Sequence, residues 1–200
     1  MEFFTGGSLI DLIQSVGFWG IIAIVFAETG LFVGFFLPGD SLLFTAGILA
    51  SQGVFNIFHL LPALFIASVV GNVVGYLFGK HVGLKIFSRH DSFFFRKEHI
   101  ERTKLFFAKH GGKTIILARF IPIIRTFAPI LAGAGSMNAN LFAFYSLIGG
   151  ALWAVLLTLL GYILGNTIPD IDHYLLPIIG AIIIISFIPA LVHVKWVDKK

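Results

Sequence analysis

Long stretches without a charged side chain dominate this chain. Gly17–Leu37 is apolar except for Glu28 and Thr29, and it ends at the turn signal Pro38-Gly39-Asp40. Ser41–Ala50 resumes as a short apolar helix, too short to cross a bilayer, which takes ~20 residues. A long arm, a break and a short return arm predict a re-entrant element. Ser51–His59 is a polar, chargeless loop, and Leu60–Gly79 is long enough to span. Leu141–Leu164 predicts a second span, after a short polar turn at Ser136–Asn140. Tyr174–Val194 predicts a last one, kinked by Pro177 and Pro189, with Trp196 as an interfacial residue. Phe3–Ile13 fits either an interfacial helix or the start of the first membrane helix.

Between the two long spans lies Leu117–Gly135, which reads LARFIPIIRTFAPILAGAG. It is apolar or small nearly throughout, yet it holds Arg119 and Arg125. Pro122 and Pro129 are expected to interrupt any helix here, because proline lacks an N–H and clashes with the preceding turn. An arginine at the bilayer centre costs ~2.5–3.5 kcal/mol on insertion scales. Broken backbone is tolerated at that depth only when buried in protein or lining a wet cavity. The stretch therefore predicts a second re-entrant hairpin, facing an interior that holds carboxylates.

The composition agrees with a membrane solvent: 58% of residues are hydrophobic, 12% charged, and the mean hydropathy is +0.96. The sequence has no cysteine, which excludes disulfides and thiolate chemistry. MEFFTGGSLIDLIQ lacks a basic n-region and a small-residue cleavage site, so a removable signal peptide is not expected. The net charge of +4 is uneven. No Lys or Arg precedes Lys80, basic residues crowd Lys80–Lys113, and Lys195, Lys199 and Lys200 close the chain. Basic groups that flank apolar segments predict a cytoplasmic linker and C-terminus, not a nucleic-acid footprint. Within the linker, Arg96–His110 has helical periodicity and follows Phe93-Phe94-Phe95, as an interfacial helix would.

Two landmarks recur at one offset. Ala46-Gly47 and Gly75-Tyr76-Leu77-Phe78-Gly79 reappear 86 positions on as Ala132-Gly133 and Gly161-Tyr162-Ile163-Leu164-Gly165. Each half is then a re-entrant hairpin, a loop and a spanning helix ending GYxxG. Counting crossings gives the halves opposite orientation, an arrangement found in secondary transporters. The predicted fold is thus an all-α integral membrane protein, an inverted repeat of re-entrant helical hairpin plus transmembrane helix, with an additional C-terminal transmembrane helix. It forms one membrane domain: repeat one about 17–80, linker 81–112, repeat two about 113–166 and a last helix at 174–194. The recurring Gly71, Gly75 and Gly79 give a smooth packing face, as do Gly161 and Gly165.

The first hairpin brings Glu28 and Asp40, the second Arg119 and Arg125, and the four are expected to meet in one interior. Arginine holds phosphate bidentately and stays charged. A carboxylate beside it can exchange between guanidinium and proton. Plainer roles exist for two of them. Asp40 is placed to cap the following helix. Arg119 is close enough to Lys113 to snorkel to the surface. The seven histidines show no metal-ligand spacing, and no Walker loop, nucleotide fingerprint, GxSxG or HExxH occurs. No enzyme activity, metal or cofactor is expected.

Glu28, Pro38-Gly39-Asp40 and Gly71-Asn72-Val73-Val74-Gly75-Tyr76-Leu77-Phe78-Gly79-Lys80 resemble the first half of DedA (VTT-domain) membrane proteins. Arg119-Phe120-Ile121-Pro122-Ile123-Ile124-Arg125, Ala132-Gly133, Gly150-Ala151-Leu152-Trp153 and Gly161-Tyr162 resemble the second. Ile123 departs from the glycine many members carry after the proline. The resemblance implies opposed re-entrant loops with essential positions at Glu28, Asp40, Arg119 and Arg125. It also implies a bacterial inner-membrane protein that moves lipids between leaflets. The cargo implied is a phospholipid or a polyprenyl phosphate such as undecaprenyl phosphate, and the drive is the proton motive force. The expected partners are phosphate-bearing lipids, protons and further copies of the chain in a homo-oligomer, with no nucleic acid. The alternative is a proton-coupled exporter of small cations or drugs, in which the carboxylates bind substrate and the arginines tune them.

Overall fold

The computed structural model describes residues 6–31, 39–83 and 111–168, with 171, 177–178 and 180–181 besides. Pro38, most of the basic linker and most of the predicted C-terminal helix lie outside the described residues. Among the described residues the chain is helical and holds no strand. We name the helices α1 (Gly6–Gly30), α2 (Gly39–Ser51), α3 (Ile57–Phe78), α4 (Lys113–Ala118), α5 (Pro122–Ala134) and α6 (Ala139–Thr167).

Two of these, Ile57–His81 and Ala139–Thr167, are long and apolar enough to cross a membrane. Their starts are set by asparagine. Asn56 Oδ1 accepts from Phe58 N–H at 2.9 Å, and Asn138 Oδ1 accepts from the N–H groups of Asn140 and Leu141. Each carries one π-helical turn, at Gly79–Gly83 and at Ala151–Val155. From Gly6 onward the predicted N-terminal segment is the start of α1 and is continuous with the long arm across a kink at Gly17, where φ is +62°, while Phe3 lies outside the described residues. Only glycine adopts that backbone without strain.

One proline behaves otherwise than expected. Pro122 opens α5 at its first turn, where a missing N–H costs nothing, while Pro129 stands inside the same helix without ending it. Its ring packs on Gly75 of α3, at 3.3 Å from the Cβ position of that residue.

The core is mostly apolar, but large apolar side chains also face outward and several polar and charged ones are buried. Phe58, Ile66, Leu117, Phe144 and Ile163 are exposed, whereas Ser68, Asn72, Ser146, Arg119 and Arg125 are buried. Extensive exposed apolar faces suit hydrocarbon as solvent.

Glycines make the close approaches. A Cβ at Gly47 of α2 would stand 2.1 Å from the Thr158 carbonyl of α6, and one at Gly161 would stand 2.0 Å from the Phe44 carbonyl. Likewise a Cβ at Gly133 of α5 would meet the Tyr76 carbonyl of α3 at 2.0 Å, and one at Gly79 the Ile130 carbonyl at 2.0 Å. Backbones this close exclude any other residue. Positions rise together along both partners, so α2 runs parallel to α6 and α5 parallel to α3. Gly165 of α6 meets Ser51 in the same way. Each short helix is thus clamped against the long helix of the other half.

Candidate functional site

Glu28 lies near the end of α1, Asp40 in the first turn of α2, Arg125 in the first turns of α5 and Trp153 in the π-turn of α6. The glycine seams hold these four elements together, and the four side chains converge. Arg125 donates through Nη2 to Glu28 Oε1 and through Nη1 to Asp40 Oδ1, the latter at 2.5 Å. Trp153 Nε1 donates to the same Asp40 oxygen at 2.7 Å. The Arg125 guanidinium carbon stands 4.4 Å above the Trp153 ring. Arg125 and Glu28 are almost wholly buried, and Asp40 is 15% exposed.

The chemistry follows from that packing. One cation faces two carboxylates in a sheltered site, so the cluster carries one negative charge when both acids are ionised. A single proton neutralises it. The flat Trp153 ring adds a cation–π contact of about 2 kcal/mol when desolvated. Its indole N–H fixes the Asp40 carboxylate. Gly39 leaves room for Glu28: a Cβ there would collide with Oε2 at 1.5 Å. Glu28 and Asp40 both turn to Arg125, and among the described residues no three His, Asp or Glu side chains converge as a metal would need.

Arg119 is the exception among the four charged residues. It lies at the end of α4, is 2% exposed and does not snorkel. Instead it reaches between α3 and α6. Its Nη2 donates to the Ser68 carbonyl and the Ser146 carbonyl at 3.4 Å, and to Ser146 Oγ at 3.3 Å. Asn72 Nδ2 donates to the same Ser146 Oγ at 3.0 Å. No carboxylate meets Arg119 among the described residues, and its Nε and Nη1 have no hydrogen-bond partner there. The four charges do not share one set of contacts: Glu28 and Asp40 meet Arg125, while Arg119 lies near enough to repel Arg125 and bonds only neutral groups among the described residues.

Of the packing positions, Gly75, Gly79, Gly161 and Gly165 lie in the helix seams, and Pro129 packs on Gly75. Tyr76 donates its hydroxyl to the Met137 carbonyl at 2.5 Å and stacks on Phe142, pinning the loop before α6. Tyr162 is half-buried beside the α2 seam. Sequence reasoning missed Trp153 as a member of the site, and Asn72 and Ser146 as partners of Arg119. Asn72 stands out as the strongly polar side chain in its span, a signal that was legible. Ser146 gives none, since a lone serine in an apolar helix commonly bonds its own backbone.

The VTT domain profile matches residues 37–163. The chain is 45% identical over 191 residues to Protein DedA of Escherichia coli, covering 93% of this chain and 87% of that one. It is 42% identical over 171 residues to the Uncharacterized membrane protein ML0287 of Mycobacterium leprae, covering 86% and 76%. It is 34% identical over 147 residues to the Inner membrane protein YqjA of Escherichia coli, covering 74% and 67%. No solved structure matches. A domain match over more than half its length and 45% identity to Protein DedA over most of the chain place this chain in the VTT-domain (DedA) family of membrane proteins.

Proposed function

We propose that this protein is a bacterial inner-membrane translocase for phosphate-bearing lipids. α1 with α2, and α4 with α5, act as re-entrant hairpins that enter from opposite faces, and α3 and α6 cross the membrane in opposite directions. The parallel clamping of α2 on α6 and of α5 on α3 supports this reading, because the two contacts repeat each other at the sequence offset of the two halves. Gly47 and Gly133 occupy equivalent places in them.

The observation that carries the function is Arg125 held at once by Glu28 and Asp40, across the two halves, in a buried site. The two carboxylates hold Arg125 through Nη1 and Nη2, so a phosphate that takes a bidentate hold on those nitrogens must displace a carboxylate. Protonation of Glu28 or Asp40 frees donors on Arg125, and a lipid phosphate then takes the place of the carboxylate. Arg119 supplies a second guanidinium for the same headgroup. Proton entry and headgroup binding are therefore linked at one residue, and a proton gradient drives the exchange. The hydrocarbon tails stay in the bilayer against the apolar outer faces.

The test is reconstitution in proteoliposomes with a panel of labelled lipids, with and without a pH gradient. Wild type is expected to move a phosphate-bearing lipid faster with the gradient, and Arg125→Ala to abolish that movement. Normal movement by Arg125→Ala ends the proposal. Loss of cation or drug resistance in Glu28→Gln with unchanged lipid distribution moves the function to cation export.

A further inference from the structure

Arg119 has surplus hydrogen-bonding capacity of a definite kind. Ser146 Oγ receives from two nitrogens, Asn72 Nδ2 and Arg119 Nη2, so its lone pairs are engaged and its own hydrogen is left to donate. Arg119 Nε and Nη1 are buried donors without an acceptor among the described residues. Asn72 Oδ1 is a buried acceptor without a donor. A buried guanidinium lined only by neutral oxygens is an uncompensated charge, and protein interiors compensate such charges. Gly149 makes the room that Arg119 itself takes up, since a Cβ there would stand 2.9 Å from Arg119 Cδ and 3.1 Å from Nε.

From this geometry we propose that Arg119, Ser146 and Asn72 form a distinct binding site for a phosphate monoester. The unesterified oxygens of the monoester accept from Arg119 and Ser146. Its P–OH group, in the singly protonated form, donates to Asn72 Oδ1. A phosphodiester has no such hydroxyl, so Asn72 favours monoesters over diesters. Sulfate satisfies the donors but not Asn72. The site works without any carboxylate leaving, unlike Arg125, so it receives the headgroup first. This order rests on the translocation reading given above, whereas the site itself does not.

The test titrates purified protein in a phosphate-free detergent with phosphatidic acid, phosphatidylglycerol, inorganic phosphate and sulfate, following binding and melting temperature. Phosphatidic acid is expected to bind about tenfold or more tighter than phosphatidylglycerol, as one buried hydrogen bond to a charged ligand allows. Ser146→Ala is expected to weaken phosphatidic acid by about tenfold. Asn72→Asp places a carboxylate beside the guanidinium, so binding is lost while the ligand-free protein melts higher. That rise separates the proposal from simple misfolding. Equal affinity for monoester and diester, or unchanged phosphatidic acid binding in Asn72→Asp, overturns it. Inorganic phosphate bound as tightly as phosphatidic acid upholds the monoester site and assigns it to free phosphate. Binding as expected with no lipid movement in proteoliposomes upholds the site and ends the translocation reading alone.

Discussion

Arg119 and Arg125 stand six positions apart in one sequence, and both are buried, at 2% and 4% exposure. Their surroundings are opposite. Arg125 meets two carboxylates and an aromatic face, while Arg119 meets two carbonyls and a shared hydroxyl. The turn at residues 119–121 explains the split, because the chain leaves α4 and restarts at Pro122 with a new axis. Side chains on the two short helices therefore enter different crevices. A cation already compensated serves stability and must be released before it can bind. A cation left uncompensated costs stability and is ready to bind. The two sites divide the work of holding the fold and holding an anion.

The largest expected effect tests that division directly. Arg125→Ala leaves Glu28 buried with no cation among the described residues, and is expected to destabilise by ~3–5 kcal/mol, as removal of one partner of a buried pair does. Arg119→Met removes a charge that no carboxylate among the described residues neutralises and keeps most of the volume, so stability is expected to hold within ~1 kcal/mol or rise. Denaturant unfolding in one detergent measures both. Equal losses would erase the distinction between the sites. Adding Glu28→Gln to Arg125→Ala is expected to recover part of the loss, since the orphaned charge goes with it; strict additivity would show that the pair is not coupled.

Trp153 comes next. Trp153→Phe keeps an aromatic face under Arg125 but loses the N–H that holds Asp40, at an expected ~1–2 kcal/mol. Trp153→Leu also loses the cation–π contact and is expected to cost roughly 1–2 kcal/mol more. Neither change touches the Arg119 pocket, so phosphatidic acid affinity in detergent is expected to stay level. A parallel fall in that affinity would mean the two sites are one.

Much of this arrangement was legible beforehand. Glu28 in an apolar run and Arg125 between two prolines had no bland explanation, and the structure brings them together. The glycine periodicity told where backbones touch. Three things were hidden. Pro129 sits inside α5 because its ring fills the groove at Gly75, a tertiary contact that local propensity does not carry. Trp153 reaches Asp40 from a π-turn, whose extra residue shifts the facing of every side chain after it; 3.6-residue periodicity cannot register that shift. The sequence places Arg119 and Arg125 on one predicted hairpin, which implies a shared chamber. Which crevice a side chain enters depends on the turn between two short helices, and the sequence shows the turn but not its angle.

The smallest expected effect is also the most selective. Gly149 of α6 faces Arg119 rather than Arg125, and its missing Cβ lets the Arg119 side chain lie against the helix. Gly149→Ala adds one methyl at 2.9–3.1 Å from a flexible side chain, so Arg119 is displaced by a few tenths of an ångström rather than expelled. The helix itself gains, because alanine is preferred over glycine by ~1 kcal/mol in a helix interior. Crowding and propensity then nearly cancel, and unfolding is expected to move by less than ~1 kcal/mol. Anion binding has no such offset. The methyl pushes on Arg119 Cδ and Nε and shifts the guanidinium from its place, and affinity for phosphatidic acid is expected to fall about three- to tenfold, the range of one weakened charged hydrogen bond. An unchanged affinity would show that the ligand reaches Arg119 from the Nη1 side alone, and would narrow the pocket to the face shared with Asn72 and Ser146.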